Sequence, residues 1–149
     1  KMGINENRLY IAKYETKIED HLARIKLADL CLDTYPYCSH STAYDYLVSG
    51  IPLVTLKGNS FSSKVSSSML ESLNLHDLIT NSYTEYENKI SELISSPEKI
   101  IELKKNIEKN KYKSTLFNIN KYRQNLEKSY EIAYKNKIGG FPLNNIIVE

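Results

Sequence analysis

The sequence predicts an α/β fold, in which helices cover a parallel sheet and further helices follow. Over residues 1–80, short apolar segments alternate with segments of helical periodicity, whereas the chain after residue 80 carries helical segments as far as about Lys137. The segment Leu30–Leu32 is continuously apolar, as is typical of parallel strands covered on both faces. We therefore expect a partial Rossmann-like domain at residues 1–80, with the C-terminal helices of residues 81–149 packing on it.

The first predicted elements are a strand at Arg8–Ala12 and a helix. Thr16 is expected to cap this helix, and Glu19 would complete a capping box. The apolar stripe of this first helix has spacings near three and four, and it consists of Ile18, Leu22, Ile25 and Leu27. A second strand follows at Leu30–Leu32.

The alternation continues with a helix over Thr42–Ser49, which Gly50 ends. A strand, a serine-rich helix and a short strand are predicted next, at Pro52–Leu56, Phe61–Leu73 and Leu78–Thr80. Three helices then extend to about Lys137, and their predicted starts are Ser82, Ser96–Pro97 and Asn118.

Composition and charge exclude several classes of protein. The 149 residues are 41% hydrophobic, which suits one globular domain. The 20 basic and 18 acidic side chains give a net charge of +2, so nucleic acid is not an expected partner. No apolar run approaches the ~20 residues of a membrane span, so we expect no membrane partner and a cytoplasmic location. Cys31 and Cys38 lack metal-ligand or disulfide spacing, and Cys31 is expected to be an inert core thiol.

Several kinds of site lack their sequence signatures. The chain contains neither a Walker A sequence nor Gly-x-Gly-x-x-Gly. Ser41 lacks the flanking glycines of a hydrolase nucleophile elbow. The three histidines have no Cys or carboxylate partners at ligand spacing, so no metal is expected. Asp33 and Asp45 are expected to face different ways, which disfavours a pair of acid/base carboxylates.

The polar segment His40-Ser41-Thr42 lies between a strand and the start of a helix. Open α/β sheets bind ligands in this crevice, and free N–H groups at a helix start suit phosphate. Both hydroxyls and the His40 ring could donate to a diphosphate, and Asp45, one turn further, could accept from a ribose diol. The alternative is that Ser41 or Thr42 is only an N-cap and His40 a surface residue.

His21 and Arg24 lie three apart on one face of the first helix. The imidazole could stack on a base while the guanidinium binds its carbonyl. The alternative is that both are ordinary exposed residues of an amphipathic helix. Lys64, within the serine-rich helix, could reach a phosphate.

Several of these segments resemble the C-terminal catalytic domain of O-GlcNAc transferases and their SPINDLY relatives. The resemblance covers nearly the whole chain in register. The segments that carry it are Leu27–Thr34, His40–Thr42 with Asp45, Gly50–Thr55, Ser63–Val65, Glu85–Glu87, Leu116–Asn118, Tyr122, Leu126–Glu127 and Tyr130.

The resemblance implies the C-terminal part of a GT-B fold and a role for each site residue. His40, Ser41 and Thr42 would hold the donor diphosphate, and Asp45 the ribose. The base would be held by two residues, His21 and Arg24. The weaker candidates are Lys17, in place of a family lysine that falls on Ile18, and Lys64, where the family has a basic residue.

The implied function is the donor-binding part of an inverting glycosyltransferase that needs no metal or other cofactor. The expected donor is UDP-GlcNAc and the acceptor a protein Ser or Thr hydroxyl, bound by an N-terminal half that this chain lacks. The chain alone is therefore expected to be inactive. Two alternatives remain open: a transferase for another donor, such as GDP-fucose or UDP-glucose, and a non-catalytic α/β interaction module.

The resemblance also predicts which strands the chain contains. The order in such domains is 3-2-1-4-5-6, and this sequence corresponds to the third through sixth strands. The sequence is expected to lack the two strands that would lie between the first predicted strand and Leu30–Leu32 in the sheet. We therefore expect a three-stranded parallel core, with Leu9–Ile11 detached or paired at another edge, and an isolated chain that is prone to associate.

Overall fold

The computed structural model describes residues 5–148. Its strands are β1 (Cys31–Leu32), β2 (Leu53–Leu56) and β3 (Ile79–Thr80). Its α-helices are α1 (Ile18–Ile25), α2 (Ser41–Val48), α3 (Val65–Ser72), α4 (Tyr83–Ser95), α5 (Pro97–Lys111) and α6 (Ile119–Ile138). Short 3-10 turns lie at Glu6–Arg8, Phe61–Ser63, His76–Leu78 and Thr115–Phe117.

The sheet has the order β1-β2-β3, and both strand pairs are parallel. Cys31 lies opposite Leu53, and Thr55 lies opposite Ile79. All four residues of β2 are buried, as suits the central strand of the sheet. The predicted α/β fold class and the three-stranded parallel core are confirmed.

Helices from both predicted parts of the chain contribute to the main hydrophobic core. Its buried members are Leu47, Val54, Leu70, Leu73, Leu75, Leu78, Leu93 and Ile107. Leu93 comes from α4 and Ile107 from α5, so these two helices share one core with Val54 of β2. A smaller cluster of Cys31, Ala43 and Leu53 joins β1 to α2.

The predicted strand at Arg8–Ala12 is wrong as a strand. Glu6–Arg8 forms a 3-10 turn, and no strand includes any residue from Leu9 to Lys17. Leu9 is 71% exposed and Ile11 is 92% exposed. A strand needs a neighbour for its N–H and C=O groups, and this segment has none in the described sheet. Its detachment from the sheet agrees with the prediction made from the missing strands.

The predicted cap of the first helix is also wrong. Lys17, rather than Thr16, is the N-cap residue of α1, and no side chain caps the helix. Glu19 still lies in the first turn, where the helix dipole favours a carboxylate. Ile25 is buried as predicted, whereas Ile18 is 55% exposed and Leu27, beyond the helix end, is 85% exposed.

The predicted starts of the three later helices are confirmed. The Ser82 hydroxyl accepts from the Glu85 N–H at 3.1 Å, and the Asn118 side chain accepts from the Lys121 N–H at 2.9 Å. Pro97 occupies the first turn of α5. The expectation that β1 is covered on both faces is wrong, because Leu32 is 52% exposed at the sheet edge.

None of the helices within residues 5–148 combines the length and the apolar character needed to cross a membrane.

Candidate functional site

The N-terminus of α2 opens at the carboxyl end of β1. His40 is the N-cap residue, and no side chain caps the helix. Within the described chain, the backbone N–H groups of Ser41, Thr42 and Ala43 have no hydrogen-bond acceptor, and the two hydroxyls have no hydrogen-bond partner. Ser41 and Thr42 are exposed. The alternative that either hydroxyl serves only as an N-cap is therefore wrong, and the helix start is free to bind an anion.

The His40 ring is held beside this helix start. It stacks on Tyr37 with centroids 4.7 Å apart, and Phe61 approaches its edge at 6.0 Å. Its Nε2 lies 3.4 Å from the Ser62 carbonyl oxygen. A carbonyl only accepts, so Nε2 is the donor of this hydrogen bond. A ligand that accepts from Nε2 must therefore replace the Ser62 carbonyl as its partner.

Asp33, for which no binding role was predicted, organises the loop between β1 and α2. Its carboxylate is buried, and Oδ1 accepts from the N–H groups of Thr34 at 2.9 Å and Ser39 at 2.7 Å. Oδ2 accepts from the Thr55 hydroxyl at 2.6 Å. The Tyr86 hydroxyl donates to the Asp33 carbonyl at 2.8 Å. The sequence signal was an Asp directly after an apolar strand, but its partners lie in other segments.

His21, Arg24 and Asp45 meet between α1 and α2. The Arg24 Nη2 lies 3.3 Å from His21 Nδ1, and His21 Nε2 lies 3.3 Å from the Asp45 carboxylate. Guanidinium groups only donate, so Nδ1 accepts from Arg24, and Nε2 carries the ring proton on the side that faces Asp45. Arg24 also donates to the Lys13 carbonyl and lies 3.5 Å from the Glu15 carboxylate. The structure thus brings together the three residues predicted to bind the base and the ribose.

The carboxylates of Asp33 and Asp45 have different partners, as predicted. Asp33 is bound by its own loop and by β2, whereas Asp45 faces α1. The two weaker candidates are Lys17, whose carbonyl accepts from the His21 N–H at 3.1 Å, and Lys64. Lys17 is exposed at the start of α1, and Lys64 is exposed beside a cavity of 540 Å³ that Lys57 and Phe61 also line.

Both cysteines are free and buried. Burial raises the pKa of Cys31 to about 12; Asp33 adds to the rise, while a hydrogen bond with Tyr46 opposes it. The thiol therefore stays protonated near neutral pH and is a core residue rather than a nucleophile. In the part of the chain that the structure describes, no three metal-ligating His, Cys, Asp or Glu side chains come together.

Comparison with known proteins places this geometry in a family. The model of glycosyl transferase family 41 matches residues 1–126. A UDP-N-acetylglucosamine–peptide N-acetylglucosaminyltransferase of Caenorhabditis elegans is 30% identical over 145 residues, which are 97% of this chain and 12% of that protein. The probable transferase SEC of Arabidopsis thaliana is 33% identical over 130 residues, covering 86% of this chain and 13% of the relative.

A solved structure agrees with these relatives. A mutant of the O-GlcNAc transferase of Thermobaculum terrenum superimposes with a TM-score of 0.59 at 29% identity, covering 60% of this chain and 17% of the other. The chain spans only 12% to 13% of the length of the two curated relatives. The predicted resemblance and the α/β fold, as the C-terminal part of a larger enzyme domain, are confirmed. The chain belongs to glycosyl transferase family 41.

Proposed function

We propose that this chain is the donor-binding part of a glycosyltransferase that moves GlcNAc from UDP-GlcNAc to Ser or Thr hydroxyls of proteins. The observation that carries the proposal is the open N-terminus of α2 beside the His21–Arg24–Asp45 group. Family membership supports the reaction class, and the names of the relatives, as peptide N-acetylglucosaminyltransferases that use UDP-N-acetylglucosamine, support the donor and the acceptor.

The start of α2 is the proposed diphosphate site. Three free N–H groups and the Ser41 and Thr42 hydroxyls belong to the same helix start, and the helix dipole adds a positive potential there. As the bond from sugar to diphosphate breaks, negative charge grows on the departing phosphate. Donors that are already in place stabilise that charge without reorganisation, and this is how the site would lower the barrier. His40 adds a donor when Nε2 turns from the Ser62 carbonyl.

The nucleoside would lie along the groove between α1 and α2. The Asp45 carboxylate accepts hydrogen bonds from the ribose hydroxyls, and its contact with His21 is broken. The released imidazole stacks on the base, and Arg24 donates to a base carbonyl. This division of roles matches the chemistry of each side chain, since carboxylates accept and guanidinium groups donate.

Lys17 and Lys64 remain candidates for additional phosphate or base contacts. We propose that no metal or other cofactor takes part, and that residues outside this chain supply the acceptor site and the catalytic base. The chain by itself is therefore expected to bind donor nucleotide without transferring sugar.

Calorimetric titration with UDP tests the proposal. We expect the Asp45→Ala variant to raise the Kd of UDP by about tenfold, because hydrogen bonds to a charged group are lost. Asp77→Ala is the matched control: Asp77 is an exposed carboxylate in the turn before β3, at the opposite edge of the sheet, and its loss should leave the Kd unchanged.

Titration with GDP separates the donor classes. Tighter binding of GDP than of UDP would favour a GDP-sugar such as GDP-fucose, and UDP-glucose is tested by competition against UDP-GlcNAc. A folded sample that gives no heat with either nucleotide would contradict the donor site and favour a non-catalytic interaction module.

A further inference from the structure

The buried carboxylate of Asp33 is built into the loop that precedes α2. Asp33 is 8% exposed and directly follows β1. Its longest-range backbone contact is the N–H of Ser39, at 2.7 Å from Oδ1. This bond folds residues 34–39 back onto the end of β1. Ser39 immediately precedes the N-cap residue, so this carboxylate ties the residue before the helix start to the end of β1.

Ser62, just before α3, and Ser66, within α3, hold the other side of the same loop. The Ser66 hydroxyl donates to the Ser39 carbonyl at 2.7 Å, and the Cys38 N–H donates to the Ser62 carbonyl at 2.9 Å. Neither of them ties the loop to the sheet. Among the described residues, the Ser39 side of the loop reaches β1 and β2 through Asp33 and its partner Thr55.

A negative charge beside an anion site disfavours binding of the anion. A carboxylate at this position is therefore better explained by its geometry than by its charge, since it accepts two backbone N–H groups and a hydroxyl at once. We propose that Asp33 is a positioning residue, which holds Ser39 and thereby directs the free N–H groups of residues 41–43 at the donor diphosphate. This inference rests on the proposed function.

Titration of UDP against three variants separates positioning from charge and from stability. Asp33→Ala removes all three acceptor contacts and should raise the Kd of UDP at least about tenfold. Asp33→Asn keeps Oδ1 as an acceptor for the loop while removing the charge, so its Kd should equal that of the parent chain or fall below it. Thr55→Val removes only the Oδ2 contact and is the control for stability: it should lower the Tm and leave the Kd unchanged.

Hydrogen exchange supplies a measurement that needs no ligand. The Ser39 amide should lose its protection in Asp33→Ala and keep it in Asp33→Asn, while Val54 in the central strand stays protected in both. If Asp33→Ala does not fold, Asp33→Glu replaces it, because the extra methylene displaces the acceptor while the charge remains. The same rise in Kd and the same loss of Ser39 protection are expected.

Parent-like UDP affinity and parent-like Ser39 exchange in Asp33→Ala would overturn the inference. An Asp33→Asn variant as impaired as Asp33→Ala would overturn it too, by showing that the charge is what matters. A parent chain that does not bind UDP would contradict the proposed function instead, and the Ser39 exchange would still decide whether Asp33 holds the helix start.

Discussion

At the scale of single residues, the candidate site combines side chains that the sequence could name with contacts that it could not. His21 and Arg24 were identifiable from helical spacing, but the approach of Asp45 to His21 depends on how α2 packs on α1. For Asp33 as well, the sequence does not reveal the contacts that the side chain makes. Its partners Ser39 and Thr55 come from different segments, so no local pattern marks it as more than a polar residue after a strand.

The role of His21 can be separated into stacking and hydrogen bonding. His21→Phe keeps an aromatic face but loses the contact with Asp45, whereas His21→Ala loses both. Stacking of a base on an aromatic side chain contributes about 1–3 kcal/mol, so His21→Ala should weaken UDP binding by that amount while His21→Phe should retain most of the affinity. Calorimetry on both variants checks this. Equal loss in the two variants would show that the ring does not stack on the base.

At the scale of elements, the local sequence was sufficient to predict where a helix starts when a capping residue or a turn sets that boundary. The predicted starts at Ser82, Pro97 and Asn118 are confirmed because each residue satisfies or removes a donor of its own helix. The same reasoning failed at Thr16, since α1 begins at Ile18, one residue too late for that hydroxyl. The strand at Arg8–Ala12 failed for a different reason: a strand also depends on its neighbours.

The hydrogen bond from Tyr86 of α4 to the Asp33 carbonyl, directly after β1, predicts how the stability of the fold depends on pH. Burial raises the pKa of Tyr86 from its ordinary value of 10.0 to about 12, and the charge of Asp33 adds to the rise. A folded-state pKa above the unfolded one means that the stabilisation is complete below about pH 10 and is lost as the pH rises toward about 12.

Urea denaturation of the parent chain and Tyr86→Phe measures this effect. At neutral pH the variant should be less stable by about 1 kcal/mol, because it lacks the hydrogen bond to the Asp33 carbonyl. The difference should shrink as the pH rises above about 10. A difference that stays constant up to about pH 12 would contradict the assignment, because the other tyrosines titrate in both proteins.

At the scale of the whole molecule, the sheet is open on one side. Within residues 5–148, β1 pairs only with β2, and an apolar groove of 690 Å³ flanks it, lined among others by Leu27, Leu32, Ile94 and Ile101. The sequence predicted this open edge only through the resemblance, because the count of missing strands comes from the family and not from composition. An unpaired edge with exposed apolar side chains favours association.

Association through this edge is testable by sedimentation at increasing concentration. Leu32→Lys places a charge on the exposed side of the edge strand and should shift the chain toward monomer, with little change in stability because the side chain is 52% exposed. Leu143→Lys is the control, since Leu143 is 99% exposed in the segment after α6. Equal effects of the two substitutions would show that general hydrophobicity, rather than the β1 edge, drives association.

The contact of Arg24 with the Lys13 carbonyl has a thermodynamic consequence. The guanidinium holds the irregular segment before α1 and also lies in the proposed base site. A nucleotide that recruits Arg24 competes with this tether, so the order of that segment and the occupancy of the site are linked. By reciprocity, whatever fixes or releases the segment changes nucleotide affinity by the same factor. A stretch of chain that joins no strand would thereby act as an intramolecular effector of the proposed nucleotide site beside it.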